Sequence, residues 1–153
     1  MNGNDPFQTE EYRRIQEEHL YRSIAYLLER GIEFAVAAEV EYLDFEPPLP
    51  EEIYGRFSPV SLFVLSGYTY ESSRLEEDFL LFEAGFGEEN FGAHVSVPLL
   101  AIKQLIIGEY PIAINIAEPA PEEEREAPDT SRSMEALLNN PENLRLLKKR
   151  KKS

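Results

Sequence analysis

The stretch from Phe79 to Pro98, FLLFEAGFGEENFGAHVSVP, decides the fold class because it contains two β-strand patterns on either side of a turn. Phe79–Phe86 is predicted as one strand and Ala93–Pro98 as the next, each bounded by glycine or proline. The loop between them contains Asn90 and Gly92, two residue types that can adopt positive φ. This part of the chain is therefore predicted to be an antiparallel hairpin.

Apolar patterns outside the hairpin predict one long helix and further strands. The helix is expected from about Glu10 to Arg30, where apolar residues recur at helical spacing and Thr9 and Gly31 are suitable caps. Further strands are predicted at the following ranges: Phe34–Tyr42, Val60–Leu65 and Ile112–Ile116. Residues 99–107 are predicted to form a short helix that turns into a strand. The fold class is therefore mainly β with an N-terminal α-helix.

Composition limits the class of protein. The chain has 153 residues, of which 42% are hydrophobic, and this fits one domain with tails. It has no cysteine, which excludes a disulfide framework and a thiolate metal site. The first apolar stretch follows acidic residues rather than a basic segment, so no signal peptide is expected. The longest apolar runs are too short to span a bilayer, and a cytoplasmic protein without a membrane partner is expected.

The charge is distributed unevenly along the chain. The formal net charge is −14, yet residues 144–153 contain six basic residues and no acidic one. Residues 1–143 therefore carry nine basic and 29 acidic residues, a net charge of −20. Such an acidic body repels phosphates, so nucleic acid is not an expected partner of the body. The basic end either contacts a partner or is a solvated tail.

A change in composition after the last predicted strand predicts the domain organisation. The range 118–133 contains three prolines and six acidic residues and has very few large apolar side chains. Such a segment cannot bury enough surface to become ordered. We therefore predict the following organisation: a flexible N-terminus at 1–9, a folded domain at 10–117, an acidic linker at 118–141 and a basic tail at 142–153, with the C-terminal tail disordered.

No pattern of catalytic residues is found in the sequence. The two histidines, His19 and His94, are far apart, and nothing pairs them at metal-ligand spacing. Ser96 lies between two valines without the glycines of a nucleophile elbow. No phosphate-binding glycine loop with a lysine is present. The chain is therefore not expected to be an enzyme or to need a metal or cofactor, although chemistry by carboxylates alone stays open.

The strand Phe82-Glu83-Ala84-Gly85-Phe86-Gly87 alternates small and aromatic residues. Glycine or alanine in a strand lets another backbone approach closely, and flanking rings can form the walls of a groove. The alternative interpretation is ordinary core packing with a bulge at the end of the strand.

The same residues resemble the signature of the SspB adaptor family, in which a strand F-x-A-x-F-G leads to V-S-V-P-L. In this chain the two motifs are Phe82–Gly87 and Val95–Leu99. A helix with the run Leu20-Tyr21-Arg22 precedes them, and an acidic linker and a terminal Leu-Arg-Leu-Leu-Lys follow. The resemblance covers about residues 18–117 and 144–148. The chain departs from the familiar enteric form at Gly85, where that form has arginine, and in the five residues that follow Lys148.

The resemblance implies an Sm-like, partly open β-barrel of the SspB type. It also implies a homodimeric adaptor that binds polypeptides with ssrA-like degradation tags and delivers them to the ClpXP protease. The implied peptide-binding residues are Tyr54, Phe82, Ala84, Gly85, Phe86 and Val97. The implied dimer residues are Tyr21, Ala25 and Leu28. Tyr21 and Ala25 lie to one side of the predicted sheet-facing stripe of the helix, which consists of Leu20, Ile24, Leu27 and Leu28. The implied docking residues for the ClpX unfoldase are Leu144, Arg145, Leu146, Leu147 and Lys148.

Two alternatives remain open from the sequence. The first is an Sm-like protein that binds RNA, which the acidic body without a basic stripe disfavours. The second concerns the tail, whose apolar and basic residues either dock on a partner or fold back on the acidic body.

Overall fold

The computed structural model of the chain describes residues 5–120. The helices in this part are α1 (Glu10–Arg30), α2 (Glu51–Tyr54) and α3 (Gly67–Ser72). The strands are β1 (Phe34–Glu39), β2 (Asp44–Glu46), β3 (Val60–Leu65), β4 (Arg74–Glu76), β5 (Phe79–Phe86), β6 (Phe91–Pro98), β7 (Ile102–Ile107) and β8 (Tyr110–Ile114). Short 3-10 turns lie at Pro6–Gln8, Val40–Tyr42 and Leu99–Ala101.

The strands form two four-stranded sheets in which every neighbouring pair is antiparallel. One sheet has the order β3-β1-β7-β8, and the other has the order β2-β6-β5-β4. The prediction of a mainly β fold with an N-terminal helix is therefore confirmed. Among the described strands the pairing does not continue from one sheet into the other, so the sheets do not close into a barrel, and the Sm-like type stays a prediction.

Helix α1 begins and ends at the predicted caps. The hydroxyl Oγ1 of Thr9 accepts a hydrogen bond from the backbone N–H of Tyr12, which satisfies one free donor of the first turn. At the other end Gly31 adopts φ 71°, and its N–H donates to the carbonyl of Leu28. Glycine takes this left-handed conformation without the cost that a Cβ would impose.

One stripe of α1 packs on the core that the two sheets share. Leu20, Ile24 and Leu27 are buried, as the sequence predicts. They belong to one cluster with residues of both sheets, including Val36 of β1 and Val97 of β6. Burying a side chain of this size contributes about 1.5–3 kcal/mol relative to leaving it in water.

The end of the domain is tied to its beginning by hydrogen bonds, and we call these contacts the terminal clasp. The side chain of Gln8 donates to the carbonyl of Ile116 and accepts from the N–H of Glu118. The guanidinium Nε of Arg13 donates to the carbonyl of Glu118 at 3.1 Å. Residue 8 of the predicted flexible N-terminus and residue 118 of the predicted linker are thus both held against the domain.

A buried asparagine holds the segment next to the terminal clasp. The Nδ2 group of Asn115 lies within hydrogen-bond distance of the carbonyls of Leu100 and Ile102, and its Oδ1 accepts from the N–H of Ala117. A buried amide is stable only where its donors and acceptors are satisfied in this way. Asn115 therefore fixes where the chain leaves β8.

The structure also differs from the sequence prediction in detail. Strands β2 and β4 are not predicted, because three residues are too few for an alternating pattern to be recognised. The predicted strand Phe34–Tyr42 ends at Glu39 and continues as a 3-10 turn. Asn90 adopts the predicted positive φ of 57°, whereas the other positive φ of this hairpin, 77°, is at Gly87 rather than Gly92.

Candidate functional site

A cleft of about 550 Å³ lies over the end of the β5–β6 hairpin. Its volume falls in the range of roughly 300–1,000 Å³ that is usual for ligand sites. The residues that line it come from the two strands, their turn, the start of α3 and the residue after β2. They are Pro47, Ser66, Tyr68, Thr69, Glu83, Ala84, Gly85, Asn90, Gly92, Ala93 and His94.

The floor of the cleft is almost free of side chains. In the register of the hairpin Ala84 lies opposite Ala93, and Gly85 lies opposite Gly92. A Cβ at Gly92 would have no heavy atom within 4 Å, so the space above it is open. A Cβ at Gly85 would instead overlap with the side-chain amide of Asn90. The Gly85–Gly92 pair therefore exposes backbone on the outer side of the hairpin, whereas the methyl groups of Ala84 and Ala93 lie on the inner side.

One wall of the cleft is a cluster of three polar side chains. The Tyr68 hydroxyl donates a hydrogen bond of 2.6 Å to Oε1 of Glu83, and His94 Nδ1 lies 3.4 Å from Oε2 of the same carboxylate. This hydrogen bond to Glu83 raises the pKa of the Tyr68 phenol, because deprotonation would place two negative charges together. Glu83 thus holds both neighbours in place and forms the charged centre of the wall.

The backbone edge of β5 ends unpaired inside the cleft. Strand β4 pairs with β5 only as far as Leu81, and beyond it the N–H of Glu83 donates to Oγ of Ser72 in α3. In an antiparallel strand alternate residues direct their N–H and C=O to the same side, so Gly85 directs its groups to this edge as well. No described residue hydrogen-bonds them. An added strand could use these groups.

The predicted peptide-binding residues are divided between three places. Ala84 and Gly85 are in the floor of the cleft, as just described. Phe82 and Val97 are in the core, with exposures of 2% and 0%, so their side chains are not accessible to a ligand in this conformation.

Tyr54 and Phe86 belong to an aromatic cluster on the inner side of the β5–β6 hairpin. Phe45 lies between them, with ring centroids 6.1 Å from Tyr54 and 5.7 Å from Phe86. Phe57 also contacts both rings. Tyr54 is the exposed member of the cluster.

Three residues of the cleft were missed by sequence reasoning. Tyr68, Glu83 and His94 lie on α3, β5 and β6, and only the fold brings them together. The sequence offered one signal: in the two strands predicted to pair, Glu83 and His94 occupy positions whose side chains face away from the core. Tyr68 carries no such signal, since its place depends on the short helix α3.

The predicted dimer residues lie beside the core stripe of α1. Tyr21 is 40% exposed, Ala25 is half-buried, and Leu28 is half-buried against the core. On the opposite side of the same helix a groove of about 660 Å³ runs between α1 and the β7–β8 sheet edge. Its apolar lining includes Tyr26, which is 51% exposed, and Ile112 of β8.

The predicted docking residues for ClpX lie outside the described residues. They are Leu144, Arg145, Leu146, Leu147 and Lys148.

Within residues 5–120 no group of three His, Asp or Glu side chains could hold a metal ion. In the same part of the chain none of the helices combines the length and the apolar character that a membrane span requires.

Neither a protein-family model nor a curated protein sequence matches the chain. The resemblance to the SspB family therefore stays a prediction.

Proposed function

We propose that the chain is an adaptor of the SspB type, which binds the degradation tag of a polypeptide in the cleft and delivers it to the ClpXP protease. The observation that carries the proposal is the bare backbone of the Gly85–Gly92 pair in the floor of the cleft. An extended peptide can approach this floor closely at Gly92, where the space above the backbone is open. It can also bond to the unpaired backbone of Gly85, as in strand addition.

The three-residue wall supports binding rather than catalysis. A tyrosinate nucleophile requires a lowered pKa, whereas the hydrogen bond to Glu83 raises the pKa of Tyr68. Held in this way, the phenol and the carboxylate are fixed hydrogen-bonding groups for a ligand. This arrangement is typical of a recognition site.

The proposal includes the Sm-like, partly open form of the barrel. Its support is that the two sheets share one core, which contains residues of β1 and β7 together with residues of β5 and β6. It also includes a cytoplasmic location, which follows from the proposed protease partner.

We further propose a homodimer that forms through α1. The lining of the groove beside Tyr26 and Ile15 also includes Glu18 and Arg22, whose exposed side chains form an ion pair of 3.2 Å within the helix. In a two-fold interface the same face meets itself, so the acidic residue of one copy can approach the basic residue of the other. The face that contains Tyr21, Ala25 and Leu28 is the alternative interface.

The charge of the cleft argues against the alternative of RNA binding. Among the eleven residues that line it, all of which belong to the described part, none is Lys or Arg. The centre of its wall is the carboxylate of Glu83, which repels phosphate. A protein tag is therefore the ligand class that fits the site better.

A peptide library tests the proposal. The full-length protein is immobilised and exposed to a library of C-terminal peptide tags, and a second sample is exposed to single-stranded RNA at low salt. We expect enrichment of a subset of tags and no retention of RNA. Retention of RNA without any enriched tag would contradict the proposed function.

A further inference from the structure

We propose that the cleft selects a peptide segment that places a cationic side chain, lysine or arginine, against Glu83. The inference rests on the proposed function, because it requires that the cleft binds peptides, and it adds the chemistry of the bound segment. Glu83 is the one Asp or Glu among the residues that line the cleft, and no Lys or Arg accompanies it there. The negative charge of the site therefore comes from this carboxylate.

Glu83 is fixed from both ends before any ligand binds. Its backbone N–H donates to Oγ of Ser72 at 2.9 Å, which holds this point of β5 against α3. Its carboxylate accepts the hydrogen bond from Tyr68 at 2.6 Å. A charged group that is already oriented loses little conformational freedom on binding, so more of its interaction energy remains for selectivity.

The carboxylate also keeps free hydrogen-bonding capacity. A carboxylate offers roughly four acceptor positions, and Tyr68 uses one of them. The Glu83 side chain is 37% exposed, so its oxygens can be reached from the cleft. Lysine and arginine side chains are pure donors and satisfy such acceptors, whereas a ligand carboxylate would be repelled.

Charges around the cleft act in the same direction. Glu88 and Glu89 lie in the turn between β5 and β6, and Glu46 pairs with His94 across the β2–β6 ladder. These residues are exposed, and salt screens their effect more strongly than the effect of Glu83 at the wall. The surrounding field attracts a cation, and the local contact with Glu83 selects it.

A positional-scanning peptide library tests the inference with the full-length protein at pH 8, above the ordinary titration range of histidine. The probes are capped nonapeptides in which one position is fixed as Lys, Arg, Gln or Glu and the others are randomised. We expect the wild-type protein to retain the Lys and Arg pools about tenfold better than the Glu pool at one position, a ratio typical of one charged hydrogen bond. Glu83→Gln should abolish this preference, and Glu83→Lys should reverse it. As matched controls, Glu88→Gln and Glu89→Gln should keep it.

The outcomes separate this inference from the proposed function. Peptide binding without a cationic preference, or a preference that survives Glu83→Gln, overturns the inference and leaves peptide binding intact. The inference is also overturned if the Glu88 and Glu89 variants lose the cationic preference as fully as Glu83→Gln does. The selectivity would then come from the electrostatic field of all the surrounding carboxylates and not from contact with Glu83. No retention of any pool by the wild-type protein overturns the proposed function itself.

Discussion

The side-chain amide of Asn90 occupies the space that a Cβ at Gly85 would need. Asn90 lies in the turn of the hairpin with φ 57°, and Gly85 lies in the floor of the cleft. The conformation of the turn and the shape of the floor are therefore coupled through one steric contact.

A double-mutant cycle tests this coupling. Gly85→Ala in the wild-type background forces the Asn90 amide away, whereas in an Asn90→Gly background nothing opposes the new Cβ. Glycine also accepts the positive φ of position 90. We expect Gly85→Ala to be more favourable in the second background by about 0.5–3 kcal/mol, the usual range for residues in contact. Chemical denaturation of the four proteins measures this, and additive effects would show that the two residues are independent.

Filling the floor of the cleft should weaken peptide binding. Gly92→Gln places a long polar side chain in the open space over the floor, where the peptide is proposed to lie, and we expect loss of tag binding in a polarisation assay. Ala37→Gln is the matched control, since this half-buried alanine lies in β1 of the other sheet. Far-ultraviolet circular dichroism confirms that both variants are folded. Unchanged binding by Gly92→Gln would place the site elsewhere.

Two tyrosines on opposite sides of α1 distinguish the two possible dimer faces. A buried unpaired charge costs several kcal/mol, and two-fold symmetry doubles the cost. If the groove is the interface, Tyr26→Asp yields monomers in sedimentation and Tyr21→Asp does not. The reverse result favours the face with Tyr21, Ala25 and Leu28. Arg30→Gln controls for loss of the contact between Tyr26 and Arg30, whose guanidinium carbon lies 4.7 Å from the ring centroid.

Glu17 should make stability depend on pH. Burial, followed by the charge of Asp78, raises its pKa from 4.5 to about 7, although Arg14 and Arg13 act in the opposite direction. The folded state therefore binds this proton more tightly than the unfolded state. The resulting stabilisation is complete below about pH 4.5 and is lost as the pH rises through 7.

Replacing Glu17 by glutamine should remove this dependence. Glu17→Gln should be more stable than the wild type at pH 8 by on the order of 1 kcal/mol, after a discount for partial solvent exposure, and nearly equal to it at pH 5. Denaturant titrations at both values measure the difference. Glu29→Gln, at an exposed position near the end of α1, should show no comparable change between the two pH values. A constant difference for Glu17→Gln would refute the assignment.

Deleting residues 142–153 should separate binding from delivery. The segment contains the proposed docking residues Leu144–Lys148 and none of the cleft residues. We expect tag binding by the truncated protein to equal that of the full-length chain, while degradation of a tagged client by ClpXP falls to the level without adaptor. Equal degradation with both proteins would contradict the adaptor function of the tail.

The hairpin was predictable because its signals are local. The bounds of β3 and β5 agree with the prediction, since each strand is a short, mostly apolar segment bounded by turn residues. Burial was less predictable, because a phenylalanine in a groove and one in a core have the same local pattern. Phe82 is buried because its ring packs near that of Phe63, which comes from the other sheet. In the wall of the cleft, the strand pattern indicates the outward pair of Glu83 and His94, whereas the place of Tyr68 depends on the unpredicted helix α3.

The terminal clasp determines the path of mechanical load through the domain. Tension on the chain beyond Glu118 is first borne by the contacts of Glu118 with Gln8, with Arg13 of α1 and with Lys103 of β7. None of these three residues lies in β5 or β6, whose ladder forms the floor of the cleft. A pull on the C-terminal segment therefore acts first on the start of the domain and on β7 rather than on the strands that line the cleft.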